Sequence, residues 1–387
     1  MSDGGRLRVA LVAGEKSGDA LGAGLIEALR ERVPRASFFG IAGELMAAAG
    51  CEAWFRAEEL SVMGLAEVLR HLPRLLRIRG ELLRRLESDP PDVFIGVDSP
   101  DFNVPIERRL KRMGVPAVQY VSPQIWAWRQ SRVATMRAAA DLVLCVLPFE
   151  ADFYAEHGVN ARFVGHPLAD AIPLETDRGA ARAALGLAGD GRLVALLPGS
   201  RRSEVVRLAE AFVGAAACLQ GRRPGTRVAV ALANEDAAAA FAEHARAERL
   251  DPKPVLVRGR AREVIAAADA VLTASGTATL ETLLLKRPMV VAYRLAPLTY
   301  TVVRRLGVER LPHFSLPNLL ARRALVPELS QEQVRPEVLG AALEGVLEGE
   351  GLGTDWYDAF TSIHRELKQG ANDAAAAAVL ELLEVKR

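Results

Sequence analysis

Three segments place hydroxyls, glycines and charged side chains where a strand-like run gives way to a helix-like one. They are Val12-Ala-Gly-Glu-Lys-Ser-Gly-Asp19, Leu197-Pro-Gly-Ser-Arg-Arg-Ser-Glu204 and Thr273-Ala-Ser-Gly-Thr-Ala-Thr-Leu-Glu281. Glycine permits the tight turn, and the unpaired N–H groups at a helix start favour an anion. Ser200, Arg201, Ser275, Gly276 and Thr277 could together surround a diphosphate with hydroxyls, one guanidinium and a helix N-terminus. Glu281, near the first turns of its helix, could accept hydrogen bonds from both hydroxyls of a ribose. A plain βα turn, and a carboxylate placed against the helix dipole, are the alternative readings of the same spacing. None of the three matches a P-loop, so an ATPase or GTPase reading is weak. Because no strand is followed by GxGxxG, a Rossmann dehydrogenase is the weakest reading.

A fourth segment offers a base. In Val93-Phe-Ile-Gly-Val-Asp-Ser-Pro-Asp-Phe102 the apolar run ends at Val97, which puts Asp98 at the carboxyl end of a strand. A carboxylate partly withdrawn from water there could take a proton from a substrate. Asp98 could equally cap the next turn, and Asp101 competes for the base role. Tyr120-Val-Ser-Pro-Gln-Ile-Trp-Ala-Trp128 then brings two of the four tryptophans to a strand end, where one could wall a sugar or acyl site and the other pack in the core. Leu60–Leu86 is different in kind. Arg70, Arg74, Arg77, Arg79, Arg84 and Arg85 outweigh Glu67 and Glu81 among Leu, Ile, Val and Met. That is a basic amphipathic stretch suited to an anionic membrane surface, with Met63, Leu69, Leu72, Leu75 and Leu76 as candidate contacts. A solvated helix packed on a sheet gives the same pattern.

These segments need a scaffold. Short Val/Ile/Leu-rich runs recur at Leu7–Ala13, Ser37–Ile41, Val93–Val97, Ala117–Val121 and Leu142–Leu147, separated by helical spacing. After a break at Phe163–Pro173 the alternation restarts at Leu193–Leu197, Arg227–Leu232, Val255–Val257, Ala270–Ala274 and Met289–Tyr293. Strands alternating with helices predict an α/β fold of two parallel sheets, and ligands of such sheets sit outside the carboxyl ends of the strands. The expectation is therefore two Rossmann-like domains facing a central cleft. The 387 residues suit two domains. A composition of 50% hydrophobic and 25% charged residues excludes a disordered or fibrous chain. Lys+Arg 49 against Asp+Glu 48 gives a net charge of +1, with no global field for nucleic acid. The three cysteines, Cys51, Cys145 and Cys218, form no CxxC pair, which argues for a reducing compartment and against a structural zinc site. The N-terminal residues lack a signal peptide's apolar region, and no stretch is long and uncharged enough for a transmembrane helix. A cytoplasmic protein is expected.

Taken in order, the segments resemble the lipid-A-disaccharide synthases. The likeness rests on AGEKSGD at 13–19, GVDSPDFN at 96–103, YVSPQIWAWR at 120–129 and LPFE at 147–150. It continues through VGHPLAD at 164–170, LLPGSRRSEV at 196–205, ASGTATLETLLLKRPMVVAYR at 274–294, LPNLLA at 316–321 and VPEL at 326–329. Lys16 and Gln124 depart from it, standing where smaller residues are expected. The resemblance implies an inverting glycosyltransferase of GT-B fold joining UDP-2,3-diacylglucosamine to 2,3-diacylglucosamine 1-phosphate. The products would be a β-1,6-linked disaccharide 1-phosphate, a lipid A precursor, and UDP. It implies Asp98 as base, Ser200, Arg201 and the Ser275–Thr279 helix start as diphosphate donors, and Glu281 at the ribose. Backbone near Val257–Arg262 would meet the uracil. Glu15, Ser17 and Asp19 would line the acceptor side, and Asn318 and Glu328 would lie in substrate-facing loops. No cofactor or metal is implied.

The implied domains are an acceptor-binding domain at 1–168 carrying the docking stretch 60–86, a UDP-sugar-binding domain at 169–350, and C-terminal helices at 351–387 packing back on an N-terminal domain. A peripheral place on the inner membrane and a homodimer complete the expectation, with no nucleic-acid partner. The competing readings are another GT-B enzyme with a soluble acceptor, a UDP-GlcNAc epimerase relative, and a non-catalytic nucleotide- or lipid-binding scaffold.

Overall fold

The computed structural model describes residues 7–60, 65–128, 132–187, 189, 191–296, 300 and 312–386, with the backbone alone at 65–71 and 127–128. The chain divides into two compact units, Met1–Asp170 with Leu367–Arg387, and Ala171–Glu366.

The first unit is built on a parallel sheet of seven strands: β1 Arg8–Ala13, β2 Ser37–Ala42, β3 Cys51–Arg56, β4 Val93–Val97, β5 Ala117–Tyr120, β6 Leu142–Cys145 and β7 Ala161–Phe163. Their order across the sheet is β3-β2-β1-β4-β5-β6-β7. β1 and β4 lie at its centre and are almost fully buried, as their unbroken apolar runs require. The chain winds outward to one edge from β1 and to the other from β4, so a topological switch point lies between their carboxyl ends. The helix Leu65–Ser88 covers one face through Ile78, Leu82 and Leu86, spaced four residues apart and packed with Phe39, Phe94 and Ile106.

The second unit repeats the scheme with β8 Leu193–Leu197, β9 Arg227–Leu232, β10 Val255–Arg258, β11 Ala270–Ala274, β12 Met289–Tyr293 and β13 Glu328–Ser330. The order β10-β9-β8-β11-β12-β13 puts its switch point between β8 and β11. The helices Arg202–Arg222 and Pro336–Glu348 bury Leu208, Phe212, Leu339 and Leu343 in one core.

The C-terminal segment does not pack as one piece on the first unit. The helix Trp356–Leu367 belongs, up to Glu366, with the second. Phe360 and Ile363 are buried, His364 lies against Lys286, and Arg323 holds Asp355 at 2.6 Å. Only the helix Ala371–Lys386 returns to the first unit, where it packs on the helix Lys16–Arg32. Its buried face is Ala371, Ala375, Ala376, Val379 and Leu383. Ion pairs Arg32–Asp373 (2.6 Å), Arg162–Glu381 (2.7 Å) and Lys386–Asp141 (2.9 Å) surround that seam. The VGHPLAD motif serves the same closure. Asp170 accepts from the N–H groups of Gly370 and Ala371, and the N–H of His166 donates to Leu367 O. Burial pulls the His166 imidazole down to about 4, so it is neutral and accepts from Leu168 N–H.

Candidate active site

Each unit carries its glycine- and acid-bearing turns at its own switch point. In the first, the turn after β1 and the turn after β4 lie against each other: a Cβ on Gly14 would stand 2.4 Å from Ser99 Oγ. A larger residue at Gly14 would force the Ser99 side chain aside.

Asp98 and Ser99 are both left-handed, with φ of +53° and +44°. Such backbone costs about 1–3 kcal/mol at each non-glycine residue and persists only where its surroundings hold it. Asp98 N–H donates to Tyr120 O at 2.8 Å. Asp98 O accepts from Asn103 Nδ2 at 2.9 Å and Gln119 Nε2 at 3.2 Å. The turn is therefore pinned through its main chain while the side chain is left over. The Asp98 carboxylate is half-buried and, among the described residues, accepts no hydrogen bond. Asp101 differs on both counts: its side chain is 90% exposed and paired with Arg132 at 3.3 Å. This favours Asp98 where the spacing left the two open.

Glu15 and Ser17 stand exposed at the start of the helix Lys16–Arg32. Asp19 does not join them. It is buried, and its carboxylate accepts from the N–H groups of Gly43, Leu45 and Met46 at 2.9–3.0 Å, which caps the helix Glu44–Ala48. The acid expected to line the acceptor side is committed to holding the neighbouring turn. Glu150, in the LPFE motif, is likewise internal. Burial raises its carboxyl to about 8, against hydrogen bonds from Leu147 N–H and Trp126 Nε1.

In the second unit Gly199 has φ +127°. Ser200 and Arg201 are exposed at the start of the helix Arg202–Arg222. Their N–H groups, which the sequence offers to an anion, meet Glu204 Oε2 at 3.1 and 3.3 Å. The Arg201 guanidinium lies 3.4 Å from Glu204 Oε1 with its side chain 57% exposed, a loose contact that leaves it available. Beyond β11, Gly276 (φ +146°) and Thr277 are exposed at the start of the helix Thr277–Leu284, and no side chain caps it. Ser275 Oγ donates to Phe314 O at 3.3 Å.

Glu281 is largely covered and bound by Arg262 Nε at 2.8 Å. The two residues lie on separate helices, so the pairing is invisible in the sequence. Tyr293 is a second omission. It ends β12, 40% exposed, with its ring centroid 5.9 Å from that of Phe314. Its position at a strand's carboxyl end was the available signal.

Asn318 and Glu328 do not face outward. Asn318 is buried; its Oδ1 accepts from Leu325 N–H and Val326 N–H, and its Nδ2 donates to Val326 O. Glu328 Oε1 accepts from Phe314 N–H and Ser315 N–H at 3.1 and 2.7 Å. Glu328 thus holds the loop on which Phe314 sits, and Asn318 closes the turn at Leu325–Val326 that leads into β13. In the docking stretch, Met63 lies outside the described residues, and Leu69 is described by its backbone alone. Leu72 and Leu76 are 41% and 46% exposed one helical turn apart, whereas Leu75 is half-buried. Among the described residues no group of three or more His, Cys, Asp or Glu is placed to hold a metal ion. No helix among them is long and apolar enough to cross a membrane.

The lipid-A-disaccharide synthetase family model matches residues 9–381. A lipid-A-disaccharide synthase of Alkalilimnicola ehrlichii is 56% identical over 376 residues, covering 97% of this chain and 98% of the relative. One from Pseudomonas aeruginosa (strain UCBPP-PA14) is 52% identical over 392 residues, covering 99% and 100%. Among solved structures, the UDP-GlcNAc 2-epimerase of Neisseria meningitidis bound to UDP-GlcNAc gives a TM-score of 0.65 at 11% identity, covering 98% of this chain and 100% of that one. The calicheamicin glycosyltransferase CalG4 gives 0.60 at 18% identity, covering 98% of each. At those identities the two structures speak for the fold alone, which is of the GT-B type.

Proposed function

Because the chain belongs to the lipid-A-disaccharide synthetase family, whose work is synthesis of the lipid A disaccharide, we propose that it transfers 2,3-diacylglucosamine from UDP to the 6-hydroxyl of 2,3-diacylglucosamine 1-phosphate with inversion. The acceptor oxygen attacks the anomeric carbon as the bond to the diphosphate breaks. The electron pair of that bond leaves on UDP, and the hydroxyl proton goes to Asp98. The free, half-buried carboxylate of Asp98 at the first unit's switch point carries this reading. General base catalysis at such a point is worth roughly 10²–10⁴-fold.

The second unit takes the nucleotide. The Arg201 guanidinium, the Ser200 hydroxyl, the uncapped N–H groups beginning at Thr277 and the Ser275 hydroxyl, turned from its long bond to Phe314 O, balance the charge growing on the diphosphate. Glu281, oriented by Arg262, accepts from the ribose hydroxyls. Glu15 and Ser17 contact the acceptor, whereas Asp19, Asn318 and Glu328 act at one remove, by shaping the turns around the site.

Purified protein given both substrates in mixed micelles with EDTA should release UDP and form disaccharide 1-phosphate in equal amounts. UDP binding without product would defeat the proposal in favour of a scaffold. Turnover of the UDP-sugar with no acceptor present would defeat it in favour of an epimerase.

Acyl substrates stay in the bilayer, since each buried CH₂ contributes about 0.8 kcal/mol. The enzyme therefore works at the cytoplasmic face of the inner membrane, peripherally held. Leu72 and Leu76 with Arg77 and Arg84 form the docking face. A homodimer is part of the same reading and rests on the family likeness alone. Burying a leucine fully is worth about 1.5–3 kcal/mol, and these two start partly covered. The Leu72→Ser, Leu76→Ser double variant should therefore bind anionic vesicles about tenfold more weakly while its circular dichroism is unchanged. Undiminished binding would remove this face from the reading.

A further inference from the structure

Beneath the Asp98 turn lies a buried polar cluster that the proposed chemistry does not use. Gly96 in β4 is the register partner of Gln119 in β5, so both present the same face of the sheet. On that face a Cβ added to Gly96 would stand 2.4 Å from Glu107 Oε1 and 2.8 Å from Asn103 Cβ. The side chains of Asn103 and Glu107, one turn apart on the helix Pro100–Arg112, thus converge on the bare Cα of Gly96. All three polar residues, Asn103, Glu107 and Gln119, are 0% exposed.

The orientation of both amides is dictated by carbonyls. Asn103 Nδ2 faces Val12 O and Asp98 O, and Gln119 Nε2 faces the O atoms of Asp98, Tyr120 and Val121. Gln119 therefore ties together two left-handed strand ends, Asp98 and the β-branched Val121 at φ +73°. Each amide oxygen is buried. Among the described residues, Asn103 Oδ1, Gln119 Oε1 and both carboxyl oxygens of Glu107 have no partner. A cluster of acceptors alone would be costly, and the missing component is a donor.

We propose that Glu107 is a positioning residue for the reaction, donating a hydrogen bond from its own carboxyl O–H to the Asn103 amide oxygen and so fixing the amide that holds the Asp98 carbonyl. Burial without a charged partner raises the Glu107 carboxyl well above the ordinary range, which keeps the proton in place at neutral pH. Glu107 touches no substrate. It acts by holding the turn that aims Asp98, and the inference rests on the reading of Asp98 as base.

Two substitutions separate donor from charge and bulk. Glu107→Gln keeps a neutral donor, and Glu107→Met keeps most of the volume without one. With rates normalised to UDP-binding stoichiometry, Glu107→Gln should retain kcat within about twofold and Glu107→Met should lose about tenfold, KM for both substrates unchanged. In an Asp98→Asn background, Glu107→Met should cost nothing further, because there is no base left to misplace. A purely packing role would lower both backgrounds alike. Full activity in Glu107→Met, equal losses in the two backgrounds, or a glutamine variant as impaired as the methionine one would each overturn the proposal. If Glu107→Met does not fold, Glu107→Gln decides alone: twofold or less supports a neutral donor, and tenfold overturns it. The Asp98→Asn single variant reports on the base assignment separately, since near-normal turnover there would defeat that reading whatever Glu107 does.

Discussion

The Asp98→Asn variant is expected to fold, to bind UDP like the unaltered chain and to turn over at least about 10²-fold more slowly. The first two outcomes follow from how the turn is held. Every described bond on Asp98 is made by its main chain, to Tyr120, Asn103 and Gln119, so an isosteric amide disturbs none of them. The third follows from what the amide cannot do. The proton released by the attacking hydroxyl needs an acceptor as the new bond forms, and an amide is a far weaker one. The loss should fall on kcat, with KM for both substrates little changed. Asp101→Asn is the internal control. It removes only an exposed ion pair, worth at most about 1 kcal/mol, and should leave turnover nearly intact. Near-normal activity in Asp98→Asn, or a deep loss in Asp101→Asn, would reverse the assignment.

Arg201→Ala should lower kcat/KM by about 10²–10³-fold, the usual consequence of removing one fixed donor from developing negative charge. The effect on stability should be small. Arg201 makes one loose contact, 3.4 Å from Glu204, and most of its side chain is in water. The capping of the helix Arg202–Arg222 by Glu204 uses the main-chain N–H groups of Ser200 and Arg201, which the alanine variant keeps. Arg201→Lys retains the charge without the planar fork and should lie between the two. The comparison is made on initial rates, with urea midpoints measured in parallel. Unaltered kcat/KM in Arg201→Ala would move the diphosphate away from this turn.

Most of the framework was legible because its central strands are buried on both faces and so read as unbroken apolar runs. The strands the sequence hid are β3, β7 and β13, written Cys-Glu-Ala-Trp-Phe-Arg, Ala-Arg-Phe and Glu-Leu-Ser. All three lie at sheet edges, where one side meets water; β7 and β13 run three residues each, and β3, six long, carries Glu52 and Arg56 and fully buries Cys51 alone, so no apolar run marks them. At the site, turns are legible because glycine and helix-start residues follow strands directly. The purpose of an acid in such a turn is not. Asp19 and Glu204 sit in the same motifs as Ser17 and Arg201, yet each is bonded to neighbouring N–H groups. Asn318 and Glu328 close a loop rather than line a surface. Whether a carboxylate is already engaged depends on partners that arrive from elsewhere in the chain, as Arg262 reaches Glu281 across 19 residues. Asp98 stands out only once those partners are counted.

The helix Ala371–Lys386 gives the chain an inverted order of completion during synthesis. Most residues of the first unit leave the ribosome first, but the helix that packs on its Lys16–Arg32 helix is made only after the whole of the second unit. The second unit, Ala171–Glu366, is whole before that segment exists. A nascent chain halted just past Gly370 would therefore carry one finished unit and one with an open apolar seam, a substrate for chaperones and proteases. Only chains made through this helix bring Ala375 and Val379 to that seam, so the first unit closes only after translation has passed the whole of the second.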